Sequence, residues 1–308
     1  MDSNPHTDLP DAAKLEAVAN DPDLILSTSL WQDAWKRLRK NRMSLVCGYI
    51  VLGIIALCVV GPWILRIFGY SYETQNLEYG AHPPSAKHLF GTDFFGRDSF
   101  TRVLYGGRVS LMVGFLAATV SATVGTLYGA ISGYAGGRID AVMMRIVDIL
   151  YALPYMMTVI ILVTIFGRNF ILIFIALGLV SWLTTARIVR GQILSLKQQE
   201  FVQAARSVGA SGMSIILRHL IPNTLGPIII YFTLTVPSMI LQEAFLSFLG
   251  LGVQEPMPSL GALINDGAAQ MTVFWWQLIF PGCFLALLLF SLNFLGDGLR
   301  DALDPKMK

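Results

Sequence analysis

The chain reads as an all-α membrane protein with six transmembrane helices, and three observations predict it. Of its 308 residues, 54% are hydrophobic and 14% charged, with a mean hydropathy of +0.60, whereas a soluble domain carries about 25% charge. Apolar runs fit to cross a hydrocarbon core of about 30 Å recur six times, at roughly 44–66, 108–133, 147–166, 170–185, 224–248 and 276–296. Lysines and arginines also fall in alternate connections, as a multi-span protein requires.

The elements follow in order. Residues 1–29 are polar and acidic, with Asp2, Asp8, Asp11, Glu16, Asp21 and Asp23 against Lys14. They carry no apolar core of a secretory signal and read as a disordered cytoplasmic tail. In 30–43, Trp31, Trp35 and Leu38 share one helical face among basic and polar neighbours. That pattern predicts an amphipathic helix lying at the headgroups; an ordinary basic flank of the first span, 44–66, is the alternative. A long connection, 67–107, follows. The second span carries small residues four apart at Ala117, Ser121, Gly125, Gly129, Gly133 and Gly137. Such a stripe lets another backbone approach closely, but a strict four-residue step drifts around a 3.6-residue helix, so no single straight partner is expected to follow it. Asp148 opens the third span beside Arg145 and suggests an interfacial ion pair. The fourth span is short. The fifth contains Pro227 and Pro237, which favour bends, and the segment Ser238, Met239, Gln242 and Glu243. A carboxylate within a span is costly and usually faces protein or a water-filled path, so these four residues are candidates for a translocation pathway. Alternatively Glu243, near the outer end of its helix, has an interfacial or packing role. Cys47, Cys58 and Cys283 fall in apolar runs and read as buried hydrophobes, not as a disulfide or zinc framework.

The basic residues set the orientation. Lys14, the cluster from Lys36 to Arg42, Arg138 and Arg145, Arg187 to Arg218, and Arg300, Lys306 and Lys308 put sixteen of the 22 Lys and Arg on one side. The positive-inside rule assigns that side, with both termini, to the cytoplasm.

The most informative segment is the cytoplasmic connection at 200–222. Gln203, Ala204, Ala205, Gly209 and Pro222 describe a short amphipathic helix, a glycine turn, a second helix and a proline. That is a rigid knob shaped for a socket on another protein. No G-x-x-x-x-G-K-[ST] phosphate loop occurs in the chain, so any nucleotide engine belongs to a separate subunit. His6, His82, His88 and His219 are scattered without ligand spacing, and neither a Ser/His/Asp cluster nor paired catalytic carboxylates occur. No catalytic residue, metal site or nucleic-acid partner is expected.

With these residues the chain resembles the membrane permeases of bacterial ATP-binding-cassette importers, whose loop reads E-A-A, three residues, G, nine residues, I-x-L-P. Ala204, Ala205, Gly209 and Pro222 fall in register; Gln203 replaces the glutamate, His219 the isoleucine, and Ile221 stands where leucine is usual. The segments Leu89-Phe90-Gly91-Thr92-Asp93-Phe94-Phe95-Gly96-Arg97-Asp98 and Gly296-Asp297-Gly298-Leu299-Arg300-Asp301-Ala302-Leu303-Asp304-Pro305 narrow the likeness to C-type subunits of the dipeptide, oligopeptide and nickel permeases. Ser181-Trp182, Ala186 to Gln192 and Phe245 to Gly252 favour the oligopeptide branch. The resemblance implies a type I importer permease fold whose core runs over 108–299, with a cytoplasmic C-terminus at 300–308. It implies a homologous second permease, two cytoplasmic ATPases that hold ATP and Mg, and an extracytoplasmic peptide-binding protein, with no cofactor on this chain. The expected activity is ATP-driven peptide import across the cytoplasmic membrane.

The residues themselves say less about the two narrower motifs. Gly91 and Gly96 allow tight turns, and Arg97 with Asp93 or Asp98 would lock a loop that otherwise reads as solvated ion pairs. Asp297 and Gly298 would end the sixth span, and Arg300 with Asp301 or Asp304 would pin the tail. Three alternatives stand beside the main reading: dipeptide or nickel import, a secondary transporter driven by an ion gradient, and a structural subunit with no pathway. The second would want midplane ionisable residues and internal repeats, neither of which is visible.

Overall fold

The computed structural model describes residues 30–167 and 169–303. Among them the architecture is helical throughout, and the sole β feature is a bridge between Thr92 and Asp98. The proposed tail 1–29, the Trp31 side chain, Asp304, Lys306 and Lys308 lie outside the described residues.

Helix α1, Leu30–Lys40, is followed after Asn41 by α2, Arg42–Ile67, the first span. Asn41 caps α2 by accepting the Ser44 N–H at 3.3 Å, as a short polar side chain at that position should. One residue of the expected surface face departs from it. Trp35 is exposed, but Leu38 is buried against Ala302 and Leu303 at the far end of the chain.

Helix α3, Ser99–Ala135, starts nine residues ahead of the expected second span. Asp98 explains the early start, because its carboxylate accepts both the N–H (2.8 Å) and the hydroxyl (2.7 Å) of Thr101. The third span is the main departure. Instead of one helix over 147–166, α4 (Gly137–Tyr151) and α5 (Tyr155–Phe166) meet at 84°. Pro154 has no N–H to donate and pushes Leu153 out of helical geometry, so the helix breaks there. Helix α6, Phe170–Leu196, is longer than expected at 27 residues. Its last turns carry Thr184, Thr185, Arg187 and Arg190, whose polarity hid them from the hydropathy pattern.

Those arginines clamp α4 across α6. Arg190 holds Asp140 by two hydrogen bonds of 2.5 and 2.6 Å, and Ser132 of α3 adds a third at 2.5 Å. Asp148 pairs with Arg187 at 2.7 Å, not with Arg145 as expected. The arginine that reaches it belongs to the helix packed alongside.

The small-residue stripe of α3 does find a single partner. A Cβ on Gly178 would collide with the Ala117 carbonyl and Val120, and Gly125 faces Trp182 and Thr185. Gly129 faces Ala186 and Arg190, and Gly133 faces Arg190 and Ile193. Helix α6 therefore runs parallel to α3 and follows the drift from Ala117 to Gly133. Only Gly137, in α4, has open space. Between membrane helices no water remains to be expelled, so close packing along such a seam supplies much of the attraction.

Short helices α7 (Glu200–Ser207), α8 (Gly212–Ile215), a π turn (Ile216–Leu220) and α9 (Ile221–Asn223) form the connection to α10, Leu225–Phe248. Helix α11, Leu260–Ala269, and the last helix, α12, Trp276–Leu303, complete the chain. Helix α12 does not stop at Asp297 and Gly298. Gly298 sits directly against Ser44 of α2, and the Ser44 hydroxyl donates to the Phe294 carbonyl at 3.2 Å, so the glycine serves a close crossing and not a helix end. Cys47 and Cys58 are buried, as expected; Cys283 is exposed along α12.

Candidate functional site

Three polar regions lie along the bundle. At the end where α3 and α12 begin, the 68–98 connection folds into a buried network. Gly91 and Gly96 take φ of +72° and +71°, where only glycine sits without strain. A Cβ on Gly96 would strike the backbone of Asn76, and one on Gly91 would strike His82 and Trp276. Thr92 is fully buried. Its hydroxyl donates to Gly80 (2.7 Å) and accepts from the His82 N–H (2.8 Å), while its carbonyl receives the Trp276 Nε1–H at 3.1 Å. Asp93 accepts two backbone N–H groups, from Phe95 and Arg97 at 2.9 Å each, together with the guanidinium groups of Arg97 (2.6 Å) and Arg102. Arg97 also reaches Glu255 at 3.3 Å.

The expectation that Arg97 locks to Asp93 or Asp98 thus resolves to Asp93. Asp98 instead caps α3 and accepts from His88 at 2.9 Å. A solvated ion-pair loop is excluded, because Asp93, Arg97, Asp98 and Arg102 are all buried. A cavity of about 190 Å³ opens beside them, lined in part by Glu255, Asp266 and Gln277. Burial raises the Asp266 carboxyl above the usual range, while Arg102 pulls it back.

The second region lies within the membrane span. A cavity of about 500 Å³ is walled by α6 and α10 and bordered by Tyr151, Leu153 and Tyr155 at the α4–α5 break. Ser238, Met239 and Gln242 line it. Glu243 does not. It is 0% exposed, its two carboxylate oxygens accept from Ser110 (2.8 Å) and Ser247 (2.7 Å), and the Ser259 hydroxyl donates to Ser247 at 3.0 Å. The backbone N–H of Leu260 closes the circuit on the Ser110 hydroxyl at 3.2 Å. Glu243 therefore does not face the cavity and takes a packing role. It points back toward α3 and fixes the start of α11, because that is where the donors stand. Sequence reading missed Ser110, Ser247 and Ser259: Ser110 lies 133 residues away, Ser259 joins only through Ser247, and Ser247 alone, one helical turn on in α10, stood at a spacing that could have pointed to it.

The third region is the 197–224 connection, at the same end of the bundle as the described termini. Helix α7 anchors itself through Val202, which is fully buried in a cluster with Ile193, Ile215, Ile216 and Leu220. Gly209 takes φ +85° with open space around it, and Pro222 opens α9, the wider π turn ahead of it accommodating a ring that cannot donate. Ala204 is exposed and Ala205 half-buried. Gln203 donates from Nε2 to the Gln198 carbonyl at 3.1 Å, a bond an ionised glutamate has no proton to make. His219 lies in the π turn, where its carbonyl accepts from Asn223 at 2.6 Å. Phe201, Val208, Met213 and Leu217 all point outward, Val208 89% exposed.

In the C-terminal motif Asp297, Arg300 and Asp301 are exposed on α12, and Arg300 and Asp301 form no ion pair with each other. Among the described residues no group of three His, Cys, Asp or Glu side chains is placed to hold a metal ion.

Residues 125–308 match the family described as the binding-protein-dependent transport system inner membrane component, and residues 29–84 match the N-terminal transmembrane domain of oligopeptide transport permease C. The chain is 54% identical to an oligopeptide transport system permease protein, OppC, of Haemophilus influenzae, over 90% of this chain and 89% of the relative. It is 55% identical to the protein of the same name in Escherichia coli, over 90% of this chain and 92% of the relative. Against a dipeptide transport system permease protein, DppC, of Bacillus subtilis, identity is 47% over 92% and 88%. Among solved structures, the MetNI methionine ABC transporter in inward-facing conformations aligns with a TM-score of 0.52 at 17% identity, covering 65% of this chain and 94% of its own, which establishes a shared fold.

Proposed function

This chain belongs to the binding-protein-dependent transport system inner membrane components, multi-pass permeases of ABC importers, and from that membership we propose that it is half of the membrane channel of an ATP-driven peptide importer. Oligopeptides are the foremost cargo, after the relatives named for oligopeptide transport; dipeptides are the second reading, after the relative named for dipeptide transport. The chain performs no chemistry itself. A homologous permease supplies the other half of the channel, and two cytoplasmic ATPases hold ATP and Mg. An extracytoplasmic peptide-binding protein delivers the cargo, and the bilayer surrounds the bundle.

The observation that carries this reading is the 197–224 connection. Its inward face is a packed apolar cluster, and among the polar residues of its outward face Phe201, Val208 and Met213 also stand exposed, a surface that suits cover by another protein. Gln203, Ala204, Ala205, Gly209 and Pro222 are its coupling residues, and ATP-driven closure of the engine reaches α10 through them. On this reading the element and both termini face the cytoplasm and the 68–98 connection faces outward. Ser238, Met239 and Gln242 border the translocation pathway. Alternating access is then a shift between a few packings of the bundle, biased by ATP and by the loaded binding protein.

The test is peptide uptake into vesicles by the reconstituted complex. Uptake should cease without ATP and survive an uncoupler of ion gradients; dependence on the gradient alone would overturn the proposal. The orientation is checked in a background lacking native cysteines. Cysteines at Ser85 and Met271 should react with an impermeant maleimide in intact cells and one at Gln199 should not; the opposite labelling inverts the topology.

A further inference from the structure

The 197–224 connection carries positive charge that nothing in the described chain balances. Where it meets the end of α3 an open cavity of about 810 Å³ is lined by Tyr134, Ala135, Lys197, Gln198, Gln203 and Arg206. Two of the six are cations and none is an acid. Each cation is steadied by a neutral neighbour. Lys197 donates from Nζ to the Gly133 carbonyl at 2.8 Å, and the Arg206 guanidinium lies over the Tyr134 ring, 5.1 Å from its centroid. A carbonyl and a ring face hold a cation in position, but neither cancels its charge. Among the described residues neither Lys197 nor Arg206 forms an ion pair. Two turns earlier on α6 the pattern is the reverse, since Arg187 and Arg190 each hold a carboxylate of α4.

The counter-charge is missing for an identifiable reason. The one carboxylate of residues 197–224, Glu200, opens α7, where it suits the positive end of the helix, and it does not line the cavity. Gln203 does line it, one helical turn before Arg206, and its amide is bonded to the Gln198 carbonyl at 3.1 Å. A glutamate at 203 would have brought a negative charge into the cavity; the neutral amide leaves both cations unanswered. Four of the six lining residues belong to the connection assigned above to the ATPases, so the missing charge is one that a docked ATPase can supply. An isolated exposed ion pair contributes little, but charges closed into an interface steer encounter and select the partner. We propose that Lys197 and Arg206 form a receptor for a carboxylate side chain of the ATPase, with Gln203 keeping it vacant of any acid of its own. The proposal rests on the coupling reading above and adds to it the chemistry by which the engine is recognised. An anionic lipid headgroup carries the same charge and is the alternative that the experiment separates.

The complete complex tests it, captured through this chain in nanodiscs of zwitterionic lipid, with the retained ATPases measured against salt. The Debye length falls from about 10 Å at 0.1 M to about 3 Å at 1 M salt, so wild-type affinity should fall by about tenfold over that range. Arg206→Gln should flatten this dependence and Arg206→Lys should restore it. Gln203→Glu and Gln203→Ala both lose the bond to Gln198, and they differ in charge. At low salt the glutamate variant should bind the ATPases about tenfold more weakly than the alanine variant. A carbodiimide joins an amine directly to a touching carboxylate, so the Arg206→Lys complex should yield an amide between residue 206 and an Asp or Glu of the ATPase, found by mass spectrometry of the digest. A glutamate variant that binds as well as the alanine variant, or a salt dependence that Arg206→Gln leaves untouched, overturns the proposal. Nanodiscs containing anionic lipid give the other arm: retention that needs that lipid and ignores the charge at 203 assigns the cavity to a headgroup and also overturns it. A wild type that retains no ATPase at low salt instead brings down the coupling reading itself.

Discussion

The two long connections of this chain are built on opposite plans. In the 68–98 loop the polar residues turn inward. Asp93 accepts from two backbone N–H groups and two guanidinium groups, Thr92 is satisfied on both sides, and Asp98 serves a helix cap and a histidine at once. In the 197–224 loop apolar residues turn outward, with Phe201, Val208, Met213 and Leu217 exposed around a core of Val202, Ile215 and Leu220. The first loop satisfies its own groups and needs no partner to be stable. The second is stable through a small interior cluster and exposes apolar side chains that, on the proposed reading, another protein covers. On that reading the difference separates residues that hold the fold from residues that transmit force, and each variant below tests on which side of that line a residue falls.

The largest effect on folding is expected at Asp93. Removing its carboxylate leaves Arg97 and Arg102 buried, with Glu255 their remaining acidic partner. Breaking a buried pair from one side costs about 3–5 kcal/mol, so Asp93→Ala should unfold or fail to accumulate in the membrane. Gly209→Val should leave the bundle inserted, although φ of +85° costs a branched residue of order 1–3 kcal/mol locally. Its effect, like that of Ala205→Trp, should be functional. The ATPases should be lost on purification, or ATP should be hydrolysed without peptide uptake. Thermal stability, co-purification, ATPase rate and uptake measured on all three variants separate the plans. If Asp93→Ala is stable, or if both loop variants keep wild-type coupling, the contrast between the loops is wrong.

Glu243 belongs with the first plan although it sits in a span. Ala in its place leaves the Ser110 and Ser247 hydroxyls without acceptors in a region that excludes water, a loss of about 1–3 kcal/mol. Glu243→Gln retains an acceptor on one side and should lose less. Thermal unfolding of the purified chain ranks the two, and a Glu243→Ala variant as stable as wild type would show that the serines find other partners. Because Glu243 fixes the start of α11 and does not line the cavity, both substitutions should leave ATP-driven peptide uptake unchanged in complexes that still assemble. Uptake lost from a fully assembled Glu243→Gln complex would place the carboxylate on the pathway after all.

What the sequence made legible follows the same division. The 197–224 element was readable because its logic is local: two helices, a glycine in a left-handed turn and a proline lie within twenty residues of one another. The small-residue stripe of α3 was readable as a packing face, but its partner was not, since a sequence shows the drift of one helix and not the lean of the other. The inward networks depend on distant residues. Trp276 bonds Thr92 across 184 positions, Glu255 meets Arg97 across 158, and Ser110 meets Glu243 across 133. Polar residues on buried faces also shortened the apparent second and fourth spans, because Arg102, Thr184 and Arg190 lower the hydropathy of helices whose partners neutralise or hydrate them.

Asp266 carries the smallest expected effect and sharpens the comparison most finely, because it is the carboxylate of the 68–98 network that the loop does not fully satisfy. It lines the cavity beside Asp93, Arg97 and Arg102, and it makes no ion pair among the described residues. Two influences oppose each other. Burial disfavours its charged form and raises its pKa, and the neighbouring Glu255 and Asp93 charges act in the same direction; Arg102 and Arg97 favour the charge. The net direction is upward. A carboxyl whose folded pKa lies above its unfolded value favours the fold while protonated, so its contribution is fully present below the unfolded pKa and is lost as pH rises through the folded one. Asp266→Asn removes that titration. The residue is only partly withdrawn from water, so the change should stay within about 0.5 kcal/mol. At neutral pH the variant should melt slightly above the wild type, and the gap should close as pH falls through the carboxylate range. Thermal unfolding of the purified chain between about pH 4 and pH 8 measures it. A variant that melts below the wild type at neutral pH would mean that the attraction of Arg102 and Arg97 outweighs burial, and that the loop satisfies this carboxylate as fully as it does Asp93.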